Sequence, residues 1–167
     1  VVEINIENLE FTNTYTTGLN TYCTYLYNNN LYCGTSEGVF RCDINKNLLD
    51  KSNWEKVNNY STEALCELNG ELYCLIKNLG IYTLNDNKIL TLITSNKGEK
   101  YHTIYSNGNE IIAPATNKTT IINSNKESIT YKNSNSSYIV KDREYFWDCK
   151  GYKGFVKCEV NGNSIEE

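Results

Sequence analysis

The chain has 167 residues, with 20 acidic against 16 basic side chains and a formal net charge of −4. Hydrophobic residues make up 40% and charged residues 22%, a globular composition and not a disordered or fibrous one, at a length that suits one domain. No apolar run approaches the roughly 18–20 residues of a membrane-spanning helix. Arg41 and Arg143 are the only arginines and no basic cluster exists, which argues against a nucleic-acid partner.

There is no methionine, so a chain opening Val1-Val2 is expected to be processed or to be part of something longer. Tyr, Ile, Thr and Val occur in short runs split by Asn and Gly, the pattern of strands, and the whole of 1–167 reads as all-β. Taken in order, residues 1–21 hold the outer strand of a preceding or closing unit, because Phe11 stands 12 residues before Cys23 as Trp54 stands 12 before Cys66. A first unit spans 22–60, with strands near 22–27, 31–35, 38–44 and 54–58. A second spans 61–100, with strands near 63–68, 71–76, 80–84 and 89–94. A third spans 101–136, with strands near 102–106, 110–115, 119–123 and 128–132. The last, 137–167, is incomplete and offers 137–141, 145–149 and 154–160.

These units are copies. Shifted by 116 residues, Tyr22, Cys33, Gly38, Cys42, Asn45 and Asn47 fall on Tyr138, Cys149, Gly154, Cys158, Asn161 and Asn163 without a gap. The turns Asn45-Lys46-Asn47, Asn85-Asp86-Asn87, Asn123-Ser124-Asn125 and Asn161-Gly162-Asn163 recur at steps of 40, 38 and 38. Asn and Gly tolerate left-handed backbone angles, so these are hairpin tips and each unit is a four-stranded antiparallel meander. A lone meander cannot bury both faces, and radial stacking of such sheets gives a β-propeller with about four blades in this chain, either a closed four-blade ring or an arc of a larger one.

Seven cysteines are many for this length, yet fewer than in a disulfide scaffold. Without a Cys-x-x-Cys and with His102 as the sole histidine, a zinc site is not expected, and no cofactor is implied. Cys33 and Cys42, like Cys149 and Cys158, stand nine apart on neighbouring predicted strands. Each pair is read first as two buried thiols, with disulfides Cys33–Cys42 and Cys149–Cys158 as the alternative.

The stretch Leu31-Tyr32-Cys33-Gly34-Thr35-Ser36-Glu37-Gly38-Val39-Phe40, followed by Trp54, resembles the repeat of bacterial propellers of the sialidase-repeat, sortilin-like and two-component-regulator type. The resemblance implies a propeller whose second and third strands carry that motif. It departs from the family's Asp-box turn, since Asp50-Lys51-Ser52-Asn53 precedes Trp54. A sialidase of this fold would clamp its substrate carboxylate with three arginines, and two exist here.

Asp43-x-Asn45-x-Asn47 imitates the opening of a calcium loop but lacks its later Gly and Glu, so turn chemistry is the better account. His102 has no partner that the sequence singles out, and Asp142, Glu144 and Asp148 read as turn and edge charges. No catalytic residue is assigned. Aromatic side chains are the candidates for binding: Tyr25, Tyr60, Trp54, Trp147 and Tyr152 could stack on a sugar or a protein surface. The expected function is a non-catalytic propeller module of an extracytoplasmic or envelope-associated protein that recognises a glycan or protein partner. The alternatives are a scaffold segment of a large multi-chain assembly and a piece of a propeller enzyme whose catalytic residues lie elsewhere.

Overall fold

The structure, a computed structural model, describes residues 2–5, 7, 10–14, 19–96, 98, 100–133, 139–142, 145–149 and 154–167. The chain divides into two compact units, Val1–Ala64 and Leu65–Glu167, and each is taken by itself.

In the first unit, β1 (Val2–Asn5) pairs antiparallel with β2 (Glu10–Thr14). A hairpin thus stands where the repeat suggested one outer strand. Glu7 lies in a turn, where Glu7-Asn8 interrupts the apolar alternation of Val2, Ile4 and Ile6. A four-stranded sheet follows in chain order: β3 (Thr21–Tyr27), β4 (Asn30–Thr35), β5 (Gly38–Asp43) and, after a single 3-10 turn at Lys51–Asn53, β6 (Glu55–Lys56). Asn28 and Asn29 turn the first hairpin with φ of 46° and 56°, angles that most side chains avoid. Cys33, Val39 and Cys42 are buried in this sheet.

The boundary between the units falls within β7 (Thr62–Leu68), which is continued by β8 (Glu71–Ile76), β9 (Gly80–Leu84) and β10 (Leu90–Ser95) in a second four-stranded sheet. Next come β11 (Tyr105–Ser106), β12 (Ile111–Pro114), β13 (Lys118–Ile122) and β14 (Ser128–Asn133). The last group is β15 (Ile139–Asp142), β16 (Tyr145–Cys149), β17 (Phe155–Asn161) and β18 (Ser164–Glu166). The last two groups are joined, because β18 pairs antiparallel with β17 and in parallel with β14 through Lys132↔Ser164 and Asn133↔Ile165. The expected strands of the last unit stop at 154–160, and three-residue β18 adds one after the Asn161-Gly162-Asn163 turn.

The second strands of the middle groups are buried on both faces. Leu72, Tyr73, Cys74, Leu75 and Ile76 of β8 are closed to solvent, as are Ile111, Ile112 and Ala113 of β12. Such strands read as continuous apolar runs, the mark of a sheet covered on both sides. Between the last two groups, Ile121, Ile139, Phe146, Cys158 and Ile165 form one core cluster, against which Tyr131 and Val156 pack.

Candidate functional site

The hairpin tips position most of the polar chemistry. Asn107 Oδ1 accepts hydrogen bonds from the backbone N–H of Asn109 and Glu110, and Asn123 Oδ1 accepts from those of Asn125 and Glu127, so each asparagine closes its own turn. Folding these two tips beside the end of β15 opens a crevice of about 520 Å³ lined by Asn107, Asn109, Glu110, Asn123, Lys141 and Asp142. Lys141 Nζ donates to Glu110 across it, and both side chains are largely shielded from solvent. Lys141 also lies over the Phe146 ring, 5.8 Å from its centroid. Beneath the crevice the Tyr105 hydroxyl accepts from Lys141 N at 2.8 Å and donates to the Ile139 carbonyl at 3.0 Å. Burial pushes the Tyr105 phenol up to about 12.

The aromatic candidates scatter. Trp54 caps the 3-10 turn and its Nε1 donates to the Leu48 carbonyl at 2.9 Å, so its polar handle stitches the loop. Tyr25 is half-buried on β3, opposite Tyr32. Tyr60 is exposed in the segment after β6, where its N–H donates to Asn58 Oδ1 and its carbonyl accepts from Thr62 Oγ1. Trp147 stands on β16 in register with Val140 and Lys157, on a face that also exposes Tyr145 and Phe155. Tyr152 lies outside the described residues. Tyr25 faces Tyr32 across its strand pair and Trp147 shares a face with Tyr145 and Phe155, company that comes from cross-strand register, which sequence spacing does not state.

The register does not set the two cysteines of either pair directly opposite one another, which disfavours the disulfide alternative. Cys33 opposes Phe40 while Cys42 opposes Leu31. Cys149 opposes Phe155 while Cys158 opposes Phe146, three residues from Cys149 and therefore on the other side of the pleat. None of the seven cysteines is joined in a disulfide. Burial raises Cys23 and Cys66 to about 12 and Cys33 to about 11, so these thiols are poor nucleophiles.

Asp43 Oδ1 accepts from the N–H and the side-chain amide of Asn45, and Asn47 Oδ1 accepts from Leu49 N, which is turn closure. Among the described residues no group of three or more His, Cys, Asp or Glu is arranged to hold a metal ion. His102 is exposed, with Nε2 3.2 Å from Thr116 Oγ1. Asp142 and Asp148 point to opposite faces of the sheet, Asp148 buried and Asp142 exposed, and Glu144 lies outside the described residues. Among the described residues no helix is long and apolar enough to cross a membrane.

A family model described as "TSS9, PorZ, N-terminal beta-propeller domain" matches residues 1–55. None of the curated proteins matches the chain in sequence. Among solved structures, PorZ, a surface component of the type-IX secretion system of Porphyromonas gingivalis, is similar over 99% of this chain and 23% of its own, with a TM-score of 0.77 at 14% identity. The extracellular domain of BT4673 from B. thetaiotaomicron, assigned to the one-component systems, is similar over 93% of this chain and 22% of its own, with a TM-score of 0.63 at 13% identity. A glutaminyl cyclase of Myxococcus xanthus is similar over 80% of this chain and 62% of its own, with a TM-score of 0.50 at 13% identity. The chain thus spans less than a quarter of the first two proteins, and identities this low speak for architecture alone. With its antiparallel four-stranded sheets and these neighbours, the chain is an all-β protein with the β-propeller fold, resembling the propellers of two-component-regulator type on which its repeat was recognised.

Proposed function

We propose that the chain is a non-catalytic β-propeller module that works outside the cytoplasm and recognises a protein or glycan partner through its loops and aromatic side chains. The observation that carries this reading is the hairpin-tip crevice, whose lining among the described residues offers three amides, two carboxylates and one ammonium. That donor set suits hydrogen bonding to a neutral polar partner such as sugar hydroxyls or a peptide backbone. The extracytoplasmic setting is supported by the likeness to PorZ and to the BT4673 extracellular domain. The fold does not decide the matter alone, since a glutaminyl cyclase shares it.

A second reading, a scaffold segment within a multi-chain assembly, is favoured by the outer strand β10, on which Leu92 is exposed, with Ile89 exposed just before it. Titration of the chain with purified envelope polysaccharides and with candidate envelope proteins separates these readings. Asn109→Ala and Asp142→Ala are expected to weaken the bound partner's Kd at least about tenfold, the loss of a hydrogen bond to a polar partner. Binding that ignores both substitutions overturns the crevice as the recognition site. Protease shaving of intact cells tests the compartment, with loss of the chain expected.

A further inference from the structure

Three Asn-Gly pairs stand exposed at hairpin tips: Asn69-Gly70, Asn107-Gly108 and Asn161-Gly162. In such a pair the main-chain nitrogen of the glycine can attack the side-chain carbonyl carbon of the asparagine, because glycine has no side chain to block the approach. The new N–Cγ bond closes a five-membered succinimide, the Cγ–Nδ2 bond breaks, and the amide nitrogen departs as ammonia, carrying the proton of the glycine N–H. Water then opens the ring at one of its two carbonyls and leaves aspartate or isoaspartate. No electrons are exchanged, and water is the sole co-reactant.

The three pairs differ at the atoms that react. Attack on Cγ turns Oδ1 into an oxyanion, so donors already aimed at that oxygen lower the barrier. Asn107 Oδ1 accepts from Asn109 N and from Glu110 N, both at 3.0 Å. The first of these bonds closes a ring that contains both Cγ and Gly108 N, which keeps the reacting atoms together. The attacking nitrogen must lose its proton, and a neighbouring negative charge opposes that loss. Gly108 N donates to the neutral Ser106 Oγ at 3.1 Å, whereas Gly70 N donates to the Glu67 carboxylate at 2.5 Å. At the third pair Asn161 Nδ2 donates to Glu166 Oε2 at 3.0 Å, a bond that the departing ammonia has to break. Asn123 repeats the two main-chain bonds to Oδ1, at 2.9 and 3.0 Å, but Ser124 follows it and its side chain obstructs the attack. Among the described residues, Asn107 alone joins a following glycine to two main-chain donors on its amide oxygen.

We propose that Asn107 is a site of spontaneous deamidation, through which the chain adds a carboxylate to its own hairpin-tip crevice. The conversion removes one of the three amides of the lining and raises its carboxylates from two to three against the single ammonium of Lys141. An isoaspartate at this position also lengthens the main chain of the tip by one methylene. The conversion needs no partner, and its effect on recognition rests on the crevice being the binding site proposed above.

The 167-residue chain, folded and in concentrated urea, is held in mildly alkaline buffer, and peptide mapping with electron-transfer fragmentation follows aspartate and isoaspartate at Asn69, Asn107, Asn123 and Asn161. In the folded chain Asn107 is expected to convert several-fold faster than Asn69 and Asn161, with Asn123 slowest. In urea the three Asn-Gly pairs are expected to converge on one rate. A folded chain in which Asn107 converts no faster than Asn69 or Asn161 overturns the proposal. So does the same ranking in urea, since the fold would then contribute nothing. Ser106→Asp sets a carboxylate against Gly108 N, as Glu67 stands against Gly70 N, and is expected to slow Asn107 several-fold. An unchanged rate in that variant, with its fold verified by circular dichroism, overturns the electrostatic account on which the choice of Asn107 rests.

Discussion

Asn58, Asn96 and Asn133 each leave an outer-strand region and replace backbone partners that a hairpin cannot supply. Asn58 Oδ1 accepts from Val39 N and Tyr60 N, Asn96 Oδ1 from Tyr101 N, and Asn133 Oδ1 from Thr119 Oγ1 while its Nδ2 donates to the Ala115 carbonyl. Part of the asparagine content thus serves the interior as well as the tips. Gly38 and Gly80 sit at φ of 135° and 133°, and a Cβ on them would lie 2.0 Å from Asn58 O and 2.2 Å from Thr94 O. Gly38→Ala and Gly80→Ala should each cost about 3 kcal/mol or more, since backbone strain and a clash with main chain add together. Gly70→Ala, at φ 75° with nothing within 4 Å, should cost only about 1 kcal/mol. Urea midpoints of the three variants check the ranking. Among the thiols, Cys149 and Cys23 are half-buried, with burial pushing Cys23 up to about 12, whereas Cys33, Cys42, Cys66, Cys74 and Cys158 are buried. With Ellman's reagent near neutral pH, Cys149 should react first, and a Cys149→Ser variant should lose that fast phase.

At the scale of elements, the joint between the β11–β14 group and β15 rests on the two hydrogen bonds of the Tyr105 hydroxyl and on the Lys141–Glu110 pair above them. Tyr105→Phe removes a half-buried donor and acceptor and leaves the Ile139 carbonyl without it, a loss of about 1–3 kcal/mol. Amide exchange should quicken in β15 while β7–β10 keep their protection, which hydrogen-exchange mass spectrometry would resolve. Two strands were readable in full: the expected 71–76 and 80–84 are β8 and β9 to the residue, because their apolar runs are bounded by turn residues such as Asn69-Gly70, Asn78 and Asn85. The first strand of the third group was not, since 102–106 shrinks to Tyr105–Ser106. Tyr101 instead makes a single bridge to Ala115, with its hydroxyl 3.1 Å from Thr120 Oγ1, a long-range contact that local propensity does not encode.

For the whole molecule, titration sets an alkaline limit. Burial raises Cys23 and Cys66 from 9.0 to about 12, burial raises Tyr105 from 10.0 to about 12, and burial followed by the Glu71 charge does the same for Tyr73. Folded pKa values above the unfolded ones mean that the folded chain holds its protons more tightly. Their contribution is complete below about pH 9 and is lost as pH climbs from there through 12. The denaturant midpoint should therefore be flat around neutrality and fall steeply above pH 9, and a Tyr105→Phe chain should lose part of that alkaline slope.

Most strand positions, the hairpin tips and the repeat were determined by the amino-acid order alone, because a turn at Asn28-Asn29 or Asn69-Gly70 is a local preference and apolar patterning is a local signal. Trp147 was legible as a residue but not as a surface. Its face depends on pairing with Val140 and Lys157, and its exposure depends on which side of β16 the Phe146 cluster claimed. Tertiary structure alone decided the crevice, where Lys141 meets Glu110 from 31 residues away. It also decided that Cys149 and Cys158 stand on opposite sides of a pleat. A register offset of one residue exchanges the two faces of a strand, and only packing against another sheet chooses between them.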